Sequence, residues 1–394
     1  MAMPEFLNEM VSRNASDLLL SVGSPPAMRI EGSMVMINDT PIESRQLAEL
    51  ADSVLDASQK QVFSARHEMN LTIDRPRLGR FRISMYRQRG EPAMAIRYIP
   101  HEVPSLDSLH LPAALKDLIL LPRGLVLVVG ASGSGKSTTL AAMIDYRNRN
   151  LSSHILTIED PIEYVHQHHK SIVDQREVGP DTESFALALE NAMRESADII
   201  MIGEIRDRAT MEQALLYAQT GQLCLATLHA TNASQALDRI LCLFPDSARQ
   251  QVLMDLSLNL KAVISQRLLR SADGGRRVPA IELLLQTSLV SDLILKGEIH
   301  QLREAMKQGF DSGMTTFEES LWRLYSDGRI SMEEALENAD SRTDFSLRVR
   351  LSEPLSLADR DTDTMSLQKS AAVPAAAESA DAGWVDDRER AHRV

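Results

Sequence analysis

The chain has 394 residues, of which 44% are hydrophobic and 25% are charged, and its mean hydropathy is −0.17. This length predicts two or more domains, and the composition is typical of a soluble globular protein. The net charge of −13 and the pI of 5.3 argue against broad, non-specific nucleic-acid binding, which needs a basic face.

Targeting signals are not visible in the sequence. The first segment, "MAMPEFLNEMVSRNASD", lacks the apolar core of a signal peptide. No stretch approaches the roughly 20 apolar residues that span a membrane, so we expect a cytoplasmic protein. Two cysteines without CxxC spacing support neither a disulfide framework nor a zinc knuckle.

Residues 1–100 predict a small α+β domain. The segments "ASDLLLS" and "AMRIEGSMVMI" are typical of strands, separated by the turn "GSPP". Leu47, Leu50 and Val54 have the spacing of one helical face. The segments "GRFRISMY" and "AMAIRYI" predict two further strands.

Residues 101–112 contain Pro104 and Pro112 and predict an interdomain linker. From 113 to 350, short apolar runs alternate with helical patterns; examples are "GLVLVVG", "ILTIED", "DIIMIGE" and "CLATLHA". This alternation predicts an α/β fold with a largely parallel sheet. Residues 351–394, rich in Ala, Ser, Asp and Arg without periodicity, predict a disordered tail.

The segment "GASGSGKS" matches the P-loop pattern G-x-x-x-x-G-K-[ST], between a strand pattern and a helical pattern. We expect its backbone N–H groups to surround nucleotide phosphates, Lys136 to contact the β- and γ-phosphates, and Ser137 to bind Mg²⁺. A chance glycine-rich turn is the alternative, and both flanks argue against it. The predicted nucleotide-binding residues are Gly130, Ala131, Ser132, Gly133, Ser134, Gly135, Lys136, Ser137 and Thr138.

A carboxylate follows the apolar run of "ADIIMIGEIRD". Such a run predicts a strand buried on both faces, and Glu204 lies at its end. Parallel sheets bind ligands outside the carboxyl ends of their strands, so Glu204 can orient the nucleophile at the γ-phosphate. The alternative is a structural ion pair with Arg206 or Arg208.

Two further strand ends are expected at the same edge of the sheet. "LTIEDPIEY" places Glu159, Asp160 and Glu163 there, and "ATLHATNAS" places His229 there. Glu159 and Glu163 are candidate Mg²⁺ ligands, partly through water, and His229 is a candidate sensor of the γ-phosphate. Alone, either segment would more often be structural. The histidines of "HQHHK" are a weak metal candidate, because no second cluster completes a four-ligand site.

In this order, "GASGSGKSTT", "TIEDPIEY", "DIIMIGEIRD" and "ATLHATNA" resemble the Walker A, Asp box, Walker B and His box of secretion and type IV pilus ATPases. "ASDLLLSVGSPPAMRIEG" is similar to the N-terminal domain of retraction ATPases, and the similarity extends over about residues 14–345. The PilT/PilU family is indicated, its PilU branch most of all. The resemblance implies a RecA-like P-loop ATPase domain after a PAS-like α+β domain, ATP and Mg²⁺ as cofactors, and a hexameric homo-oligomer.

The resemblance also implies that the N-terminal domain provides arginines to the nucleotide of an adjoining subunit. The segments "RFRIS" and "AIRYI" match the positions that carry them, so Arg82 and Arg97 are candidate catalytic residues beside Lys136, Glu204 and His229. The neighbouring arginines are interpreted only as a solvated basic loop; they are Arg75, Arg77, Arg80, Arg87 and Arg89.

The sequence departs from the PilT type at two places. "LVSDLILKGEIHQL" places Ser291 where a motif arginine is usual, and Leu19 stands where the first strand usually has histidine. Together with the C-terminal tail, these departures indicate the PilU branch, and the resemblance then implies an accessory motor that works with a PilT-like retraction ATPase. The resemblance also implies a platform protein of the inner membrane as a partner and a position of this chain at the periphery of that membrane. The alternatives are an assembly or secretion ATPase, whose four-cysteine insertion is missing here, and a weakly hydrolysing nucleotide-dependent scaffold.

Overall fold

The computed structural model describes residues 1–30, 32–75, 78–99, 102–275, 277–309 and 312–352. The predicted tail lies outside these ranges except for its first two residues, and so do Arg77 and the first residue of the predicted linker. The chain divides into one compact unit, Met1–Asp340, and a second that begins at Ser341. The described part of the second unit contains one helix, α14 (Arg342–Ser352).

The N-terminal part is built on a six-stranded sheet whose neighbouring strands are all antiparallel. Its strand order is β3-β2-β1-β6-β5-β4. The elements are α1 (Met3–Ser12), β1 (Asp17–Ser21), β2 (Ala27–Ile30), β3 (Ser33–Met36), α2 (Ser44–Asp52), α3 (Ala57–Arg66), β4 (Glu68–Arg75), β5 (Gly79–Gln88) and β6 (Glu91–Ile99). The segment predicted as a single strand over 27–37 is in fact a hairpin, in which Gly32 has a φ of +85°.

One face of this sheet carries the core of the N-terminal part. Along β5, Phe81, Ile83 and Met85 are buried and alternate with more exposed residues, as expected of a half-buried antiparallel strand. Leu7 of α1 and Leu47 of α2 belong to the same buried cluster. The opposite face of β5 therefore presents its polar side chains away from this core.

The C-terminal part of the first unit contains a seven-stranded sheet in the order β13-β12-β7-β11-β10-β8-β9. Every neighbouring pair is parallel except β12 with β13, as the alternating pattern predicts. Its strands are β7 (Gly124–Val129), β8 (His154–Glu159), β9 (Ile172–Glu177), β10 (Ile199–Ile202), β11 (Leu223–Leu228), β12 (Leu260–Leu269) and β13 (Val278–Leu285). The predicted fold class, an α/β domain with a parallel sheet after a smaller α+β part, is confirmed.

Helices cover both faces of this sheet. They are α4 (Ala114–Ile119), α5 (Lys136–Asn150), α6 (Phe185–Ala192), α7 (Arg208–Thr220), α8 (Ala233–Cys242), α9 (Asp246–Asn259), α10 (Ser288–Lys296), α11 (Leu302–Gln308), α12 (Phe317–Ser326) and α13 (Met332–Asn338). All residues of β7, β10 and β11 are buried, because helices pack on both sides of these strands. Within the described ranges, no helix combines the length and the apolarity needed to cross a membrane.

Helix α5 is anchored at the end remote from the P-loop. The buried Arg147 donates through Nη1 to the carbonyl oxygens of Ile119 (2.8 Å) and Leu121 (2.9 Å). Burial lowers the pKa of Arg147, while the charge of Asp198 opposes that effect. These bonds tie the C-terminal end of α5 to the segment before β7, so the first turn of α5 has a fixed position at the sheet edge.

Candidate active site at the carboxyl ends of the parallel strands

The P-loop connects the end of β7 to the start of α5. Gly135 has a φ of +93°, a left-handed backbone conformation that favours glycine. No side chain caps the first turn of α5, which leaves its N–H groups for an anion. Lys136 Nζ donates to the carbonyl oxygens of Gly130 (2.9 Å) and Ala131 (3.0 Å). Burial lowers the pKa of Lys136, and the charges of Glu204 and Glu163 oppose this.

Strand β10 brings Glu204 to the same edge. The chain turns after Glu204 and enters α7, which is capped by Asp207: its carboxylate accepts a hydrogen bond from Thr210 N (2.8 Å). The backbone of Gly203 is held on both sides, since its N–H donates to Ile158 O (2.8 Å) and its carbonyl accepts from Thr227 Oγ1 (2.5 Å). Glu204 thus lies just after the buried strand β10, at the point where the chain turns toward α7.

Both oxygens of Glu204 have partners. Nε of Arg206 lies 2.7 Å from Oε2, and Nε2 of His229 lies 3.1 Å from Oε1. Arg206 also reaches Asp160 Oδ2 at 3.3 Å. The structure therefore contains the ion pair with Arg206 that was considered as the alternative for Glu204. It also brings Glu204 and His229 into direct contact, although the sequence predicted only that their strand ends lie at the same edge of the sheet.

The Asp box lies beside this cluster. Glu159 ends β8, is 8% exposed, and accepts through Oε1 from Thr157 Oγ1 (2.7 Å) and Gln175 Nε2 (3.1 Å). Burial raises the pKa of Glu159 to about 7, although both hydrogen bonds oppose that shift. Glu163, in the Asp-box loop (residues 160–166), is exposed and lines the same cavity. A cation close to Glu159 would offset the cost of its buried charge, so these residues fit a bound Mg²⁺.

These strand ends enclose a cavity of about 500 Å³. Its charged lining consists of Glu159, Asp160, Glu163, Glu204, Lys136, Arg206 and Arg277. The predicted P-loop residues Ser132, Gly133, Gly135, Ser137 and Thr138 also line it, together with His229. A smaller cavity of about 290 Å³ on another side of the loop is lined by the remaining predicted residues, Gly130, Ala131 and Ser134. Lys136, Ser137, Glu204 and His229, far apart in sequence, thus meet in one place.

Arg82 and Arg97 lie elsewhere. They are directly opposite each other on β5 and β6, and the described lining of the 500 Å³ cavity does not include them. Arg97 Nε is paired with Asp17 Oδ1 at 2.8 Å. Arg82 lines a separate cleft of about 710 Å³ that also touches Asp160 and Pro161. Within one chain, these two arginines are therefore not part of the 500 Å³ cavity.

The interpretation of the neighbouring arginines as a solvated loop is wrong for Arg80. Its side chain is 15% exposed, and its Nη2 lies 3.2 Å from Oε2 of Glu177, whose side chain is 8% exposed. Arg80 belongs to the regular part of β5, on the face that does not carry the N-terminal core. The partner is 97 positions away, so sequence reasoning had no local signal for it.

Tyr164 was not identified from the sequence, and His166 was considered there only as a weak metal candidate. Tyr164 OH lies 3.0 Å from Thr138 Oγ1 at the start of α5. His166 is 8% exposed, and burial lowers its pKa to about 4 against the charge of Asp145. The other two histidines of "HQHHK" have separate partners. His168 Nδ1 accepts a hydrogen bond from Val173 N (3.1 Å), and His169 Nε2 lies 4.0 Å from Asp145 Oδ1. The sequence signal that could have identified Tyr164 and His166 as site residues is their position inside the Asp-box loop.

The chain resembles known proteins over most of its length. The family model described as "Type II/IV secretion system protein" matches residues 8–345. The chain belongs to this family. It is 49% identical to the type IV pilus ATPase PilU of Pseudomonas aeruginosa, over 89% of this chain and 92% of that protein. It is 40% identical to the retraction ATPase PilT of the same organism, over 88% of this chain and 100% of that protein.

A solved structure supports the same assignment. A crystal structure of the pilus retraction motor PilT with bound ADP matches with a TM-score of 0.82 and 41% identity, over 87% of this chain and 98% of that chain. The resemblance inferred from the four boxes is confirmed. The prediction of an ATPase is confirmed as well, since the chain is close to both pilus ATPases and shares their family.

The raised pKa of Glu159 predicts a pH-dependent stability in protein free of nucleotide and magnesium. The usual pKa of 4.5 rises to about 7 on folding, so the stabilisation is complete below about pH 4.5 and is lost as the pH rises to 7. Glu159→Gln removes this pH-dependent contribution to the free energy of unfolding. Its stability relative to the wild type should therefore increase over this range, by about 3 kcal/mol in total.

Urea unfolding in EDTA at pH 5, 6, 7 and 8 measures this difference. The matched control is Glu163→Gln, because Glu163 lines the same cavity with an exposed side chain. A constant difference between Glu159→Gln and wild type across these pH values would contradict the shift.

Proposed function

We propose that this chain is a hexameric ATPase motor that hydrolyses ATP to drive type IV pilus retraction and twitching motility. The observation that carries the proposal is the meeting of Lys136, Glu204 and His229 in one cavity at the carboxyl ends of parallel strands. The similarity to PilU and PilT over nearly the whole chain supports the pilus as the object of the work.

The P-loop binds the phosphates of ATP. The uncapped N–H groups of α5 and the ammonium of Lys136 face the anion, and Lys136 exchanges its two carbonyl contacts for phosphate oxygens. Ser137, Glu159 and Glu163 would hold Mg²⁺, partly through water, and the ion would neutralise phosphate charge. An adjoining cavity of about 580 Å³, lined by Leu109, Leu111 and other residues beside Thr138, offers space for the nucleoside.

Glu204 acts on the attacking water. Its carboxylate is held by His229 on one oxygen and by Arg206 on the other. A general base must be free to accept a proton, so turnover requires Glu204 to exchange its Arg206 contact for the water. Arg206 is 58% exposed and already contacts Asp160, which gives it a place to move to. His229 remains beside Glu204 and can report the γ-phosphate by a hydrogen bond.

The charges of the cavity support a contribution from a second subunit. Four carboxyl groups line it against three cations, and Arg206 is already engaged by two of those carboxylates. Further positive charge is therefore needed to stabilise the charge that the transition state spreads over the γ-phosphoryl oxygens and the leaving oxygen. Arg82 and Arg97 lie on an N-terminal surface outside their own cavity, so we assign them to the site of a ring neighbour.

Lys136 and Glu204 should fail in different ways. Lys136→Ala removes the phosphate contact and should weaken nucleotide binding as well as turnover. Glu204→Gln keeps the cavity and should retain ATP while lowering kcat by about 10²-fold or more. Fluorescent-nucleotide titration and phosphate release measure the two effects. Full turnover by Glu204→Gln would remove the role assigned to this carboxylate.

Arg82 and Arg97 should act between subunits. Arg82→Ala and Arg97→Ala should lower kcat by up to about 10³-fold with little change in nucleotide affinity. Mixed rings of Arg82→Ala and Glu204→Gln subunits should recover activity, because some composite sites receive both intact residues. The control is Arg45→Ala, whose 89% exposed side chain pairs with Glu49 on α2. Mixed rings that stay inactive, with mixing verified by native mass spectrometry, would exclude sharing.

We further propose that the chain is an accessory motor. Ser291 lies in α10, where its Oγ accepts from Gln286 Nε2 (3.3 Å), and it cannot provide the charged bidentate contact of an arginine. ATP hydrolysis is local to the strand ends and survives this difference, whereas coupling to the pilus machinery is weakened. The partners would be a PilT-like ring and the platform protein of the inner membrane, with this chain on the cytoplasmic side.

Retraction in a strain that lacks the PilT-like partner tests the accessory role. Cells that express only this chain should show no pilus retraction by fluorescence microscopy, and re-expression of the partner should restore it. The control is Lys136→Ala expressed with the partner, which should reduce retraction force. Normal retraction without the partner would refute the accessory role and leave the ATPase assignment intact.

A further inference from the structure

Strand β9 contacts the Asp-box loop through Gln175 and Glu177, which are two positions apart and therefore lie on the same face of the strand. The amide of Gln175 bridges three groups: Nε2 donates to Glu159 Oε1 (3.1 Å) and to Tyr164 O (2.8 Å), and Oε1 accepts from His166 N (2.8 Å). Gln175 therefore fixes the carboxylate of Glu159 relative to the backbone of the loop.

Glu177, two positions further, connects the same loop to the N-terminal sheet. Its Oε2 lies 3.2 Å from Nη2 of Arg80 and also accepts from Ile162 N (3.3 Å). Its own N–H donates to Asp181 Oδ2 (2.8 Å), which holds the end of β9. One carboxylate oxygen thus joins β5 of the N-terminal sheet to the loop that carries Asp160 and Glu163.

The Arg80–Glu177 pair is poorly explained by stability alone. Both side chains are largely buried, and Nε of Arg80 is a buried atom with no hydrogen-bond partner among the residues that the structure describes. A buried ion pair often gives no more stability than apolar residues of similar volume, and an unpaired donor adds a cost. Removal of one partner, in contrast, leaves an uncompensated charge. The arrangement therefore suits a contact whose position matters.

The space around the pair permits relative movement. A cleft of about 710 Å³ lies between the N-terminal strands and the Asp box, with Arg80 and Glu177 in its lining. Asp160 and Pro161 line both this cleft and the nucleotide cavity. A change in the orientation of the N-terminal sheet would reach the nucleotide cavity through these shared residues.

We propose that Gln175 and Glu177 are positioning residues, and that the Arg80–Glu177 pair transmits the orientation of the N-terminal domain to the Asp-box loop of the same subunit. The proposal rests on the proposed ATPase function and deepens it. The N-terminal domain that provides Arg82 and Arg97 to a neighbour thereby also sets the metal-binding carboxylates of its own site. Each subunit thus couples the state of one nucleotide site to the next around the ring.

Arg80→Met combined with Glu177→Gln is the principal test in the full-length chain. The pair of substitutions removes both charges, so no buried charge is left unpaired, and Gln keeps an acceptor for Ile162 N–H. Amide hydrogen exchange at Ile162 should rise roughly five- to tenfold, because the acceptor is no longer fixed by Arg80. The Mg²⁺ concentration for half-maximal ATP turnover should rise about tenfold, while nucleotide affinity in EDTA stays unchanged.

A further variant distinguishes the Gln175 contact with the loop from the Glu177 contact, and a control variant accompanies it. Gln175→Leu should raise exchange at His166 and leave Ile162 near the wild-type rate. Arg176→Ala is the matched control on β9, because Arg176 pairs with Glu195 (2.9 Å) rather than with the loop, and it should change neither amide nor the Mg²⁺ dependence. This pattern supports the positioning role.

Two results would overturn it. One is exchange at Ile162 and Mg²⁺ dependence within twofold of the wild type in the double variant. The other is an equal rise in exchange in β10, since that would show a general loss of stability. The proposed function fails separately: full turnover by Lys136→Ala and Glu204→Gln would refute the ATPase chemistry whatever the exchange rates are.

Discussion

The parallel pairing of β7, β8, β10 and β11 is the constraint on which the site depends. Parallel strands end at the same edge of a sheet, so the P-loop, the Asp box, Glu204 and His229 meet although they are spread over a hundred residues. Strands β7, β10 and β11 are buried along their whole length and contain no charged residue. The polar groups of the site are therefore confined to the last residue of a strand, as with Glu159, and to the residues that follow a strand, where the cavity accepts them.

This confinement explains why much of the site was predictable. An uninterrupted apolar run followed by Gly203 and Glu204 indicates a covered strand with a polar end, and the P-loop fixes the edge at which that end lies. The parallel sheet followed from the alternation of apolar runs with helical patterns over residues 113–350, and the smaller α+β part from its own strand segments and helical spacing. Local sequence carried this information because strand burial and loop chemistry are both local properties.

Contacts between sheets were not predictable in this way. The alternation along β5 shows that Arg80 lies on the face away from the N-terminal core, but not that Glu177 meets it there. Gln175 looks like any polar residue of an edge strand, and its role appears only when the Asp-box loop folds back over it. The competing partner of Glu204, Arg206, was foreseeable at a separation of two residues. Long-range polar pairs depend on domain placement, which no periodicity encodes.

Gly203 shows how closely the strand ends depend on one another. A Cβ there would lie 3.1 Å from Ile158 O and 3.2 Å from Glu159 Cα. Any larger residue pushes the Asp box away from the strand that carries Glu204. The two strand ends therefore pack as a single mechanical unit: a substitution at position 203 would displace the backbone beneath Glu159 and Glu204 at once.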